Sequence, residues 1–209
     1  MNSDNLKQVV KAAYLLQLRH GPFSEHELSG LVGQSKVSEA LKLGYLTEQQ
    51  AVERRFSLTD KGREQLKVIL AGGVYDVLHL GHLAALREAK TLGDVLVAVV
   101  ATDVTVEMLK GRKPVFPQED RRVLVEGLKP VDKAILGYED VGFGFEQVLV
   151  EVMPDIVAFG YDQDNLERTV REIIHRRNLK IQTVRLSRFE HEKYLSSTSA
   201  RQKLAEELR

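Results

Sequence analysis

Two imidazoles stand three residues apart in His79-Leu80-Gly81-His82, just after the apolar run Val68-Gly72 and the turn Gly72-Gly73-Val74-Tyr75-Asp76. At a helix start, side chains at this spacing face the same space. The free N–H groups and positive dipole end of such a helix favour an anion. Gly81 leaves room for a phosphate to approach the backbone. The dipole supplies only ~0.3–1 kcal/mol, up to ~2 when partly buried. A well-placed donor aimed at developing charge contributes ~3–4 kcal/mol. The two histidines therefore matter more than the helix alone. The competing readings are ordinary helix-start histidines and a zinc pair. The spacing differs from His-Glu-x-x-His and no third ligand is evident, so a polyphosphate site is favoured. An ordinary histidine titrates near ~6.5, which predicts loss of activity in acid.

Other polar residues fall where they can serve the same anion. Lys110, Arg112 and Lys113 form a cationic loop expected to close over a triphosphate; a solvated basic loop is the alternative. Arginine binds phosphate bidentately, while lysine acts as a point charge. Arg121 or Arg122 is a candidate for an acceptor phosphate, the other a surface residue. Ser197 and Thr198 precede an expected final helix, Ser199 to Leu208, with Arg201 one turn in. Their hydroxyls can cap that helix, hold phosphate oxygens, or do both. Gly160 permits a tight turn, and Tyr161 can stack on a flat ring or simply pack half-exposed. Asp162 can select a base or hydroxyl, or belong to a turn.

The elements that must position these residues change character near Lys67. From there on, short apolar runs alternate with amphipathic stretches. The expected strands are Val68-Gly72, Val95-Ala101, Lys133-Leu136, Ile156-Phe159 and Ile181-Leu186. The expected helices are Gly81-Thr91, Val104-Leu109, Gln118-Leu128, Phe143-Val152 and Asn165-Arg177. Continuous apolar strands are covered on both faces. Their alternation with helices predicts an α/β fold: a Rossmann-like, doubly wound, parallel five-stranded sheet. Such sheets bind ligands beyond their strands' carboxyl ends, where strand order reverses.

Residues 1–66 read differently. A helix is expected from Asn5 to Arg19, then a capping box of Ser24 and Glu27 opens a second. Gly33 breaks it, a third runs from Ser35 to Leu43, and extended pieces follow at Tyr45-Thr47 and Arg54-Leu58. Thr59 caps a last helix through Leu66. The chain is thus divided into 1–66 and 67–209.

Composition narrows the classes. Lys+Arg and Asp+Glu both number 30, so global charge points to neither nucleic acid nor an anionic membrane. There is no cysteine, which removes disulfides, thiolate catalysis and cysteine-type zinc sites. No apolar run approaches the ~20 residues of a membrane span, and the first residues lack a signal peptide's apolar core. A cytoplasmic location is expected.

The segment from Gly73-Val74-Tyr75-Asp76 through His79-Leu80-Gly81-His82 resembles the signature of the cytidylyltransferase-like nucleotidyltransferases, whose HxGH motif binds triphosphate. Further similarities follow in family order: Thr102-Asp103, Lys110-Gly111-Arg112-Lys113-Pro114, Glu119-Asp120-Arg121-Arg122 and Ser196-Ser197-Thr198-Ser199-Ala200-Arg201. Together they span about residues 67–205. Val74 departs from the threonine many members carry there, removing a hydroxyl donor. The resemblance implies a nucleotide site built from Gly72, Gly73, Val74, Tyr75, Asp76, Gly81, Asp103, Arg112, Arg121, Gly160, Tyr161, Asp162, Ser197 and Thr198. His79, His82, Lys110 and Arg201 would be catalytic, with Mg²⁺ arriving with the nucleotide. Gly160-Tyr161-Asp162-Gln163 and the basic loop are most similar to the archaeal-type branch that transfers AMP from ATP to FMN. The Asp-Asp-Trp and Arg-Thr-Glu-Gly motifs frequent in CTP-dependent enzymes acting on glycerol 3-phosphate are missing. The substrates expected are ATP (or CTP) and FMN or another phosphorylated small molecule, in a chain that can form a homodimer and needs no membrane.

Residues 1–66 resemble a winged helix-turn-helix domain, with Arg55-Phe56-Ser57-Leu58-Thr59-Asp60-Lys61-Gly62-Arg63 like its second wing strand and last helix. This raises a rival function, a DNA-binding regulator with a nucleotide-sensing domain. Gln34, Ser35, Lys36, Ser38 and Lys42 on the third helix suit phosphate and base contacts. Charge argues against it: the segment holds nine Lys/Arg and eight Asp/Glu, whereas phosphate neutralisation supplies much of DNA affinity. A docking, dimerisation or substrate-covering module is the alternative.

Overall fold

The computed structural model describes residues 3–49, 54–139, 144–189 and 206–207. The expected helix over Ser199–Leu208, with Ser197, Thr198 and Arg201, lies almost wholly outside them. The chain forms two compact units, Met1–Lys67 and Val68–Arg209.

The first unit runs α1 (Ser3–His20), β1 (Phe23–Ser24), α2 (Glu25–Val32), α3 (Gln34–Lys42), β2 (Leu46–Gln49), β3 (Arg55–Leu58) and α4 (Asp60–Arg63). Its strands form an antiparallel sheet in the order β1-β3-β2. The expected capping box opens α2: the Ser24 hydroxyl accepts from the Glu27 amide, and the Glu27 carboxylate accepts from the Ser24 amide at 2.7 Å. Val9, Ala13, Phe23, Leu28, Val37, Leu46 and Phe56 form its core. Two features differ from the sequence expectation. β1 is two residues long, too short to show a period, and is defined by pairing Phe23 with Phe56. α4 stops at Arg63 with Glu64 as its cap, because beyond that cap the Gln65 and Leu66 amides bond three residues back rather than four, a tightened ending common at helix termini.

The second unit runs β4 (Val68–Gly73), α5 (Leu80–Thr91), β5 (Val95–Val100), α6 (Asp103–Lys110), α7 (Gln118–Glu126), β6 (Lys133–Leu136), α8 (Gly144–Val152), β7 (Ile156–Phe159), α9 (Asp164–Arg176) and β8 (Gln182–Arg185). All five strands are parallel, in the order β6-β5-β4-β7-β8. Every residue of β5 is buried, as its unbroken apolar run requires. The core joins Ile69, Leu86, Leu96, Ala98, Val100, Ile156 and Ala158. The chain leaves β4 for β5 and β6 on one side, then returns to its other side with β7 and β8. The order therefore reverses between β4 and β7, where a doubly wound sheet opens a ligand crevice at its carboxyl edge.

Carboxylates hold the opposite edge closed. Asp155 accepts from the Val68 amide at 2.7 Å and Asp132 from the Leu96 amide at 2.8 Å. These bonds fix the amino ends of β4 and β5 and leave the carboxyl ends to carry the site.

Candidate active site

β4 ends in Gly72-Gly73, and the chain turns through Val74, Tyr75 and Asp76 before α5. Tyr75 adopts a left-handed backbone, φ +52°, and folds its ring back over Gly73. A Cβ on Gly73 would lie 2.7 Å from that ring, so the second glycine is required by Tyr75. Tyr75 is 5% exposed, and burial pushes its phenol well above the usual range. It is a wall of the site, 5.4 Å between ring centres from His82.

His79 is the N-cap of α5. Its Nδ1 accepts from the Gly81 amide at 3.1 Å, while His82 Nδ1 accepts from the His79 amide at 3.4 Å. The two imidazoles form a reciprocal cap with ring centres 3.8 Å apart. A Cβ on Gly81 would lie 3.0 Å from the His79 ring. Gly81 is thus small first of all so that His79 can fold back, a reason the sequence did not supply.

Because both Nδ1 atoms accept backbone protons, each neutral imidazole carries its own proton on Nε2. The pair therefore presents two N–H donors at the positive end of a helix. Burial lowers the pKa of His79. It pushes His82 down to about 4, helped by the neighbouring His79 and the Lys110 ammonium. The expectation that charged histidines titrate near neutrality is corrected: desolvation and like charge keep His82 neutral through the working range. The kcat/KM of the free protein is accordingly expected to be flat from pH 6 to 8; a profile with a midpoint near ~6.5 would contradict it. The sign for stability follows. The folded pKa lies below the unfolded ~6.5, so the unfolded chain binds more protons between the two values. Stability therefore falls as pH drops from ~6.5 towards 4, by about 2 kcal/mol at pH 5 from His82. Urea midpoints at pH 7 and pH 5 measure it, and the loss should shrink in His82→Gln.

The remaining candidates divide into residues that face the crevice and residues that build it. Asp76 is 4% exposed and lies beneath the basic loop, its Oδ1 accepting from the Val115 amide at 2.6 Å and the Phe116 amide at 3.1 Å. Arg112 approaches the other oxygen at 3.6 Å. The loop expected to close over a triphosphate is thus tied at its far end. Lys110 is the last residue of α6, exposed, before the left-handed Gly111. Arg121, a candidate for an acceptor phosphate, is instead wholly buried. It donates to Phe116 O at 2.9 Å, Val74 O at 2.5 Å and Asp103 Oδ1 at 2.7 Å. The physical reason is geometric: three inward-facing acceptors converge on one guanidinium and hold it away from solvent. Asp103 is correspondingly an anchor for Arg121 at the start of α6. Arg122 pairs with Glu119 and Glu126 along α7.

Across the reversal, β7 ends at Phe159 and Gly160 opens the turn. Tyr161 and Asp162 are exposed. The Arg188 guanidinium lies 5.4 Å from the Tyr161 ring centre, and Arg185 donates to the Tyr161 carbonyl at 3.3 Å. Gln163, whose position in the site the sequence did not reveal, reaches back across the crevice. Its Nε2 donates to Gly72 O at 2.9 Å and its Oε1 accepts from the Gly160 amide at 2.8 Å. Only a long-range contact between two strand ends exposes this role. Among the described residues, no group of three or more His, Asp or Glu can hold a metal ion.

A family model described as cytidylyltransferase-like matches residues 70–203, which includes both histidines, the basic loop, Ser197, Thr198 and Arg201. The chain belongs to the cytidylyltransferase-like family. The FAD synthase of Aciduliprofundum boonei is 46% identical over 121 residues, covering 58% of this chain and 78% of that relative. The FAD synthase of Thermoplasma acidophilum is 43% identical over 138 residues, covering 66% of this chain and 94% of that relative. A solved structure described as the lipopolysaccharide core biosynthesis protein of Thermoplasma volcanium shares 40% identity at a TM-score of 0.55, covering 60% of this chain and 99% of that one. As a cytidylyltransferase-like protein with these relatives the chain is a nucleotidyltransferase, and the matched span takes in the residues that line this crevice.

Proposed function

We propose that the chain is an FMN adenylyltransferase, joining AMP from ATP to FMN and releasing pyrophosphate. The single observation that carries the chemistry is the imidazole pair whose Nδ1 atoms are both committed to backbone amides, so that both Nε2–H groups serve as donors. A terminal oxygen of the FMN phosphate attacks the α-phosphorus of ATP in line. A new P–O bond forms as the bond to the β-phosphate oxygen breaks, and pyrophosphate leaves. Positioning and charge stabilisation carry most phosphoryl-type transfer. The donors on His79 and His82 stabilise charge building on the triphosphate, and Lys110 adds a point charge beside them. Ser197, Thr198 and Arg201 are proposed to hold the phosphates, at the positions the family model spans.

The choice of FMN and ATP over an alcohol phosphate and CTP is supported by relatives named FAD synthase at 41–46% identity. A divalent cation would come bound to the triphosphate. Mg²⁺ keeps much of its water and binds mainly through substrate phosphates, which suits a site without an acidic cage among its described residues. A cytoplasmic location fits these substrates, and no helix among the described residues is long and apolar enough to cross a membrane.

The first unit is proposed to be a winged-helix module in a docking or covering role. Three side chains suggested for DNA contact are engaged internally: Gln34 with Glu25, Lys36 with Gln8, and the Ser38 hydroxyl with Gln34 O.

The test is a screen of the pure protein with ATP plus FMN, CTP plus FMN, and CTP plus glycerol 3-phosphate, following pyrophosphate release and FAD by chromatography. FAD formation with ATP is expected. Consumption of CTP without FAD would overturn the choice of substrates.

A further inference from the structure

The crevice between β4 and β7 is held open by a side chain. The two strands pair in parallel up to Ala71 opposite Ala158. Continuing that register puts Gly72 opposite Phe159, and the Gly160 amide becomes the donor that a parallel rung would bring to Gly72 O. That rung is replaced. The Gln163 carboxamide stands between the two groups, accepting from Gly160 N at 2.8 Å and donating to Gly72 O at 2.9 Å. β4 meanwhile continues to pair on its other side, to Gly73 opposite Val100. The opening is therefore confined to the switch point, and one amide's width is inserted there.

Gln163 also occupies the N-cap position of α9 without capping it, since no side-chain bond to that helix's amides is made. A residue at this position would ordinarily turn its polar side chain onto its own helix; Gln163 turns its carboxamide to Gly160 and across the crevice to Gly72.

We infer that Gln163 is a positioning residue that sets the spacing between the two halves of the site: the β4 turn leading to His79 and His82, and the β7 turn carrying Gly160 and Tyr161. This rests on the nucleotidyl-transfer reading above. What the carboxamide fixes is the distance over which one substrate's phosphate must meet the other's α-phosphorus, and small misplacements there are costly to rate.

Gln163→Leu keeps an apolar stem, ends one atom short of the carboxamide tips and has no polar atoms. Gly160 N and Gly72 O can then pair directly, so stability is kept while the crevice narrows by one rung. Steady-state kinetics and thermal unfolding of the full chain test this. The expected result is a kcat at least tenfold below wild type, with KM for both substrates within threefold and Tm within a few degrees. Gln163→Glu keeps the acceptor for Gly160 and loses the donor to Gly72, and is expected to show the same split. A kcat within threefold of wild type in both variants overturns the inference, as does a rate loss that tracks a collapse in Tm in both. If wild type itself turns over no triphosphate with any acceptor, it is the nucleotidyl-transfer reading that fails.

Discussion

His82→Ala lowers kcat by about 10²–10³-fold while the domain stays folded, the loss expected for one donor aimed at transition-state charge. The substitution removes an Nε2–H donor, and it also removes the Nδ1 acceptor for the His79 amide, so the orientation of His79 loosens with it. His82→Asn keeps a polar side chain at the cap and is expected to recover only part of the rate. The two histidines act as a unit, so the double alanine variant should be little worse than His82→Ala alone. Single-turnover rates with ATP and FMN, beside thermal unfolding of each variant, measure this. A His82→Ala protein keeping more than half the activity would remove the role assigned to the motif.

Arg121→Met acts through stability. The guanidinium is wholly buried and satisfies Val74 O, Phe116 O and Asp103 together. Methionine fills similar space but leaves two inward carbonyls without that donor. The expected loss is about 3 kcal/mol. For a chain of this size that is a Tm lower by roughly 6–12 °C. Were Arg121 a ligand for the acceptor phosphate, its loss would raise KM and leave Tm nearly unchanged. Calorimetry of the variant separates the two.

What the sequence showed of this fold followed from periodicity. The runs Lys133-Leu136 and Ile156-Phe159 are strands with the expected bounds, the second because a buried parallel strand reads as an unbroken apolar stretch. The glycine break at Gly33 and the caps at Ser24 and Thr59 were equally legible, because capping chemistry is local. β1 was not, since two residues have no period and exist as a strand only through Phe56. The site was legible in its residue types and much less so in their directions. Arg121 is a cation within a phosphate-binding signature, and its charge alone suggests that it meets the phosphate; Asp76 is placed there by the resemblance. Two backbone carbonyls and the Asp103 carboxylate turn Arg121 inward, and two loop amides turn Asp76 the same way; none of these partners is a sequence neighbour of the residue it engages. The lowered pKa of His82 was out of reach for the same reason, because its burial and the Lys110 charge are tertiary facts. Gln163 illustrates the limit most clearly, its partner lying 91 residues away.

The most direct measurement is a crystal structure of the full chain with a non-hydrolysable ATP analogue. Phosphate oxygens within hydrogen-bonding distance of Nε2 on both His79 and His82 are expected, with the analogue lying over the carboxyl ends of β4 and β7. A triphosphate bound elsewhere, with both imidazoles still turned only to their own backbone, would contradict the account.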